Sequence, residues 1–111
     1  MIDEAIFRRV SDSALEALKQ SLIEAEEKGG FETEDNNGVL NILFEDGSSK
    51  FVFTPQTPVR QIWISARATS FKLEWSETEA NFSLAKTGEN LKSLTERLLQ
   101  EHLNNLSIHL V

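Results

Sequence analysis

Cysteine is absent from this chain of 111 residues, and long apolar runs are absent as well. Without cysteine there can be no disulfide framework, thiolate nucleophile, zinc finger or cysteine-bound cluster, and a reducing compartment is compatible with the composition. No apolar run approaches the roughly 20 residues of a membrane span, and the first four residues do not resemble a signal or transit peptide. We therefore expect a protein that is cytosolic or already processed, with no membrane partner.

Histidine and glycine are scarce, with two and five residues respectively. His102 and His109 are seven residues apart, which is not a zinc-binding spacing, and we interpret both as structural. The glycines lie in predicted turns and form no phosphate-binding loop. Because a nucleophile beside a base also cannot be identified, the sequence predicts no catalytic residues.

Acidic residues are in excess and unevenly distributed. The chain has 18 Asp and Glu against 11 Lys and Arg, a net charge of −7. Residues 1–47 hold 12 acids and 4 bases, whereas residues 48–111 hold 6 acids and 7 bases. An acidic surface of this kind repels nucleic acid and attracts cations or basic partner surfaces, and its alternative role is to maintain solubility.

Hydrophobic periodicity predicts two helices. Residues 3–28 carry apolar side chains at steps of three and four, and a second helix opens near residues 87–90. The tail is too apolar to remain in water, so Leu106, Ile108 and Leu110 are expected to pack back. The predicted stripe of the first helix consists of Phe7, Val10, Ala14, Leu18, Leu22 and Ala25, with Leu15 at its edge.

Extended runs separated by turn signals predict a meander between the helices. A polar loop is expected at residues 66–70. The predicted fold is α+β: a two-layer sandwich with two helices packed on one face of an antiparallel sheet of five to six strands, in one domain over residues 1–111. The predicted strands are 31–35, 39–44, 50–54, 59–65, 71–75 and, more weakly, 80–84.

Residues 56–63 form the most distinctive segment. Pro55 and Pro58 predict a turn, and in the strand that follows Ile62 and Ile64 face the core. Trp63 is then left on the opposite face, where its ring either rests on the sheet with hydrogen bonds from glutamines or anchors a partner. The candidate partner-binding residues are Gln56, Arg60, Gln61, Trp63 and Arg67.

Carboxylates at the end of the first helix and in the next predicted strand form a candidate cation site. Oxygen ligands suit hard cations such as iron, calcium or manganese. Nothing in the pattern encloses an ion, so a solvated acidic face is the alternative. The candidate ligands are Glu24, Glu26, Glu27, Glu32, Glu34 and Asp35.

The pattern Gln-Thr-Pro-x-x-Gln-Ile-Trp at residues 56–63 resembles the signature strand of the frataxin family, whose bacterial members are iron donors of iron–sulfur cluster assembly. Residues 37–40, 44–48, 71–75 and 87–89 are similar to further family segments. The resemblance implies an iron-binding regulator that is not an enzyme. It would hold Fe(II) and Fe(III) weakly on an acidic ridge, which Glu16 joins, and dock on a complex of cysteine desulfurase and scaffold protein.

The resemblance also implies that the protein is a monomer in the absence of iron. It leaves open whether the protein forms oligomers when iron is present. The location would be the bacterial cytoplasm, or the mitochondrial matrix for a processed eukaryotic form. Some positions depart from the family: Lys19, Ile23, Lys28 and Gly30 stand where bacterial members are often acidic, which implies weaker iron binding. The alternative functions are a ferroxidase that stores iron in oligomers and an acidic protein-binding chaperone unrelated to iron.

Overall fold

Two helices flank six consecutive strands in the computed structural model of this protein, which describes residues 2–111. Helix α1 spans Glu4–Ala25 and is followed by a 3₁₀ turn, Glu26–Lys28, while α2 spans Leu91–Leu103. The strands are β1 Phe31–Asn36, β2 Val39–Phe44, β3 Lys50–Gln56, β4 Gln61–Ala66, β5 Thr69–Ser76 and β6 Asn81–Ser83. Spatial order follows chain order, and every neighbouring pair is antiparallel.

The core is one apolar layer between the helices and the sheet. Alternate strand residues such as Ile42, Phe53 and Ile64 are fully buried, and they pack with Leu18 of α1 and Leu94 of α2. Each such side chain contributes roughly 1.5–3 kcal/mol by leaving water. The predicted α+β sandwich, with both helices on one face of the sheet, is therefore confirmed, and six strands form the sheet.

The other face of the sheet, called the open face below, lies opposite the helices. Its residues occupy the positions between the buried ones, and the strand register places them side by side. They are Glu32, Glu34, Asn36, Val39, Asn41, Leu43, Lys50, Val52, Thr54, Gln56, Gln61, Trp63, Ser65, Ser70, Lys72, Glu74, Ser76, Asn81 and Ser83.

Both helices begin at polar caps. The Asp3 carboxylate accepts a hydrogen bond from the Ile6 N–H at 2.9 Å, and Asn90 and Ser93 form a capping box at α2.

After the 3₁₀ turn, Gly30 has φ 95°, and a Cβ at this position would lie 3.0 Å from Leu103 Cδ2. A side chain there would be strained by the positive φ and would have to displace the end of the Leu103 side chain. Neither helix combines the length and apolar character needed to cross a membrane, within the described residues.

The buried side of α1 is turned relative to the predicted stripe. Leu15 is buried together with Ser11, whereas Val10 and Ala14 are only half-buried. The expectation that Leu15 lies at the edge is thus wrong. The reason is that Val10 and Ala14 face a cavity beside the start of α2 instead of the sheet.

Two turns also differ from expectation. Strands β4 and β5 extend to Ala66 and Thr69, so the predicted loop at 66–70 is a turn formed by Arg67 and Ala68, with φ 52° and 63°. Both residues take the left-handed conformation that two-residue hairpins need. Before β4, the chain turns through a 3₁₀ segment, Thr57–Val59, and Arg60 at φ 56°. Strand β4 therefore begins at Gln61 and not at residue 59.

The tail packs against both helices, as predicted for Ile108 and Leu110. Ile108 is fully buried, and its carbonyl oxygen accepts a hydrogen bond from Gln100 Nε2 at 2.7 Å. The Leu110 N–H donates to Glu96 Oε1 at 2.8 Å. The prediction for Leu106 is wrong: its side chain is 79% exposed. It lies in a local turn in which Asn105 Oδ1 accepts the Ser107 N–H at 3.0 Å.

Candidate functional site

The seven predicted iron ligands, called the acidic ridge below, occupy the adjacent elements α1, the 3₁₀ turn and β1, but they do not converge. Glu32 and Glu34 lie on the open face, whereas Asp35 lies on the helix side of the sheet. Glu24 and Glu27 line a separate cavity of about 260 Å³ beside residues 107–111. Nowhere in residues 2–111 do three acidic, histidine or cysteine side chains come together in an arrangement that could hold a metal ion.

Glu26 has a structural role in this region. Its Oε2 accepts the Thr33 backbone N–H at 2.9 Å, which ties the 3₁₀ turn to β1. This hydrogen bond uses one carboxylate oxygen, so Glu26 can offer a cation only its remaining lone pairs. The other ridge carboxylates are exposed.

A lysine, Lys19, lies between two of the ridge carboxylates. Lys19 Nζ lies 3.5 Å from Asp35 Oδ2 and 3.9 Å from Glu16 Oε2. These carboxylates also border a cavity of about 200 Å³ that Asp12 lines. A cation entering this cavity would meet the positive charge of Lys19, which reduces the attraction of the acidic groups. The donor set therefore fits loose, exchangeable binding of a hard cation and does not form a closed site.

Trp63 stands in the middle of the open face. Its register partners are Thr54 on β3 and Lys72 on β5. The indole Nε1–H donates to Gln61 Oε1 at 2.7 Å, and Lys72 Nζ lies 4.8 Å from the ring centroid. The ring is half-buried and held in one orientation. It therefore exposes a large apolar surface whose side chain would lose little conformational entropy on binding.

The open face has a depression beside this ring. Its volume is about 120 Å³, and Gln56 lines it together with Trp63. Gln56 is also the register partner of Gln61. The structure thus brings together three of the five predicted partner-binding residues beside this depression. The remaining open-face side chains that line it are Val52, Thr54, Ser65 and Ser70.

The two arginines predicted to bind a partner lie elsewhere. Arg60 Nε donates to the Ile2 carbonyl oxygen at 3.2 Å, and Nη1 donates to that of Thr57. Arg67 is six residues beyond Gln61, roughly 20 Å along the strand, and its Nη1 lies 3.5 Å from Glu101 on α2. Arg60 thus fastens its own turn, and Arg67 joins the sheet to α2.

His102 and Ser48 form a contact that the sequence did not predict. Ser48 Oγ lies 3.1 Å from His102 Nε2, and the imidazole packs on Phe44 with a centroid distance of 4.0 Å. Asp46 accepts the Ser48 N–H at 2.8 Å, and hydrogen bonds from the Ser48 hydroxyl and N–H lower the pKa of Asp46. Because Asp46 bonds to the serine and not to the histidine, the three do not form a hydrolase triad. They fasten the β2–β3 turn to α2.

Comparison with known proteins identifies the family and the fold. The sequence model of a family described as "Frataxin-like domain" matches residues 1–105. The chain belongs to the frataxin family. The iron-sulfur cluster assembly protein CyaY of Pseudomonas entomophila (strain L48) is 30% identical over 100 residues, which cover 90% of this chain and 88% of the relative. CyaY of Pseudomonas putida (strain W619) is 31% identical over 101 residues, with the same coverage.

A solved frataxin structure, from Psychromonas ingrahamii, has the same fold. Its TM-score is 0.73 over 99% of this chain and 96% of that chain, at 16% identity. The family assignment inferred from residues 56–63 is confirmed, and so is the frataxin fold. The curated relatives carry a name from iron–sulfur cluster assembly, and that name specifies no catalytic activity.

Proposed function

We propose that this frataxin-family protein regulates iron–sulfur cluster assembly by docking through its open face, and that it is not an enzyme. The partner would be a complex of cysteine desulfurase and scaffold protein, and the protein would act as one domain in the bacterial cytoplasm. The observation that carries the proposal is the position of Trp63, fixed by Gln61 and Lys72 on the face opposite both helices. Rigid tryptophans in such positions are frequent interface anchors.

The acidic ridge supports a second contact in this proposal. Its carboxylates suit a basic patch on the desulfurase, because complementary charges steer association and fix register. The same carboxylates would carry Fe(II) or Fe(III) as exchangeable cargo, and Lys19 would keep that binding weak. We also propose that the protein is a monomer in the absence of iron.

A reconstituted assembly reaction tests the proposal. The chain is added to cysteine desulfurase, scaffold, Fe(II) and cysteine under anaerobic conditions, and cluster formation is followed by absorbance. A saturable change in rate, in either direction, is expected for the wild type and is expected to be lost with Trp63→Ala. An unchanged rate at saturating protein would contradict the proposal.

Oxygen uptake separates this function from a ferroxidase. In aerobic buffer with Fe(II) alone, we expect oxygen consumption at the rate of buffer without protein, because the described residues hold no group of three or more Asp, Glu, His or Cys side chains that could bind a metal ion. Faster uptake that is lost when the ridge carboxylates are neutralised would favour the enzyme.

A further inference from the structure

A cavity of about 460 Å³ lies between α1, the β5–β6 turn and the start of α2. None of the residues that line it belongs to the acidic ridge, and only Asn81, on the edge strand β6, has an open-face register position. Its volume falls in the range of small-molecule sites, roughly 300–1,000 Å³. The lining residues are Arg9, Val10, Ser13, Ala14, Ala17, Leu18, Trp75, Ala80, Asn81, Asn90, Leu91 and Lys92.

The floor of this cavity is apolar. Val10 and Ala14 are half-buried, and the indole of Trp75, also half-buried, packs edge-on against Phe82 with a centroid distance of 5.2 Å. Ala17 is exposed and lies at the open side of the cavity. An indole held in this way offers a stacking surface to an aromatic or branched aliphatic group.

The rim of the cavity is cationic. Its lining includes Arg9 and Lys92 but no Asp or Glu, in a chain that holds 18 acidic residues. Arg9 forms neither an ion pair nor a side-chain hydrogen bond with any residue in the range 2–111. The Lys92 ammonium donates to the Val111 carbonyl oxygen at 2.8 Å, so Arg9 is the cation left available.

We infer that this cavity binds a small amphipathic carboxylate, with its apolar body against Trp75 and its carboxylate paired with Arg9. Apolar burial would supply most of the affinity, and the guanidinium would select the anion and fix its orientation. The accessible lining residues of α1 run from Arg9 to Ala17, eight residues or about 12 Å along the axis, which accommodates a phenyl ring with a short alkyl acid. This site is independent of docking through the open face.

NMR titration with 4-phenylbutyrate tests the inference, with 4-phenylbutan-1-ol as the uncharged control. The protein has two tryptophans, so the indole N–H signal of Trp63 serves as an internal control on the opposite face. We expect saturable shifts of the Trp75 indole and the Ala14 and Ala17 methyls, an unmoved Trp63 indole, and about tenfold weaker binding of the alcohol. Absence of a saturable Trp75 shift, or equal binding of acid and alcohol, would overturn the inference.

Two neighbouring arginines give matched variants. Arg9→Gln is expected to weaken 4-phenylbutyrate binding about tenfold, whereas Arg8→Gln should leave it unchanged, because Arg8 pairs with Glu4 at 3.5 Å and does not line the cavity. Ala17→Leu should weaken binding by narrowing the open side of the cavity. If circular dichroism shows that Ala17→Leu is unfolded, the exposed Arg9→Gln variant decides alone, and wild-type affinity in it would refute the site.

Discussion

Adjacent residues of β4 face opposite sides of the sheet, so replacing each by alanine should separate docking from folding. Ile64 is fully buried, and Ile64→Ala is expected to lower the free energy of unfolding by roughly 2–5 kcal/mol. Trp63→Ala removes one hydrogen bond, about 1 kcal/mol, and an exposed cation–π contact of about 0.5–1 kcal/mol. We therefore expect Trp63→Ala to destabilise the fold by about 1–2 kcal/mol.

Binding should respond in the opposite order. Loss of an interface anchor costs about 2 kcal/mol or more, so Trp63→Ala should raise the Kd for the desulfurase–scaffold complex at least about 30-fold. Folded Ile64→Ala should bind almost as the wild type does. The assays are urea unfolding and calorimetric titration at a temperature where both variants are folded. The reasoning is refuted if Trp63→Ala loses stability like a core variant, or if it binds with unchanged affinity.

Three further predictions concern charge and packing. Lys19→Ala should tighten anaerobic Fe(II) binding about fivefold in calorimetry, because two ridge carboxylates lose their cation; unchanged affinity would place iron elsewhere. Hydrogen bonds from Arg97 lower the pKa of Glu89 below its ordinary 4.5, so this pair stabilises the fold above that pH and loses its effect as the pH falls through the lowered pKa. Glu89→Gln should therefore cost about 1 kcal/mol at pH 7, and its stability should fall less than that of the wild type as the pH drops below 4.5 in urea titrations; parallel curves would contradict this. His102→Ala should cost about 1–2 kcal/mol in the same assay by removing the ring that packs on Phe44, and wild-type stability would show that the contact is unimportant.

The fold was largely predictable because patterning and turns agree along the chain. Alternation placed Ile62 and Ile64 in the core and Trp63 on the opposite face, as observed. The Arg67–Ala68 turn was not predictable, because neither residue is typical of a turn that needs two positive φ values. Pro55 is tolerated in β3 because β2 pairs with β3 only as far as Phe53. The N–H that proline lacks is therefore not needed for a hydrogen bond to β2.

Only those features of the candidate site that depend on residues close together in the sequence could be predicted. Strand parity separates Glu32 and Glu34 from Asp35, and this follows from a period of two. The position of Lys19 against Asp35 depends on how α1 crosses β1, which no local pattern specifies. The same holds for Ser48 and His102, which are 54 residues apart. Long-range packing brings these charges together.

Amide NMR of the labelled chain, titrated with the cysteine desulfurase–scaffold complex with and without anaerobic Fe(II), tests the central claim most directly. We expect signals of residues 56–65, around Trp63, to shift or broaden with the complex, and those of residues 24–35 to respond to the complex and to Fe(II). If the complex moves neither segment while Fe(II) moves the ridge, the protein is only an iron binder. If neither addition changes the spectrum, the frataxin fold serves another function here.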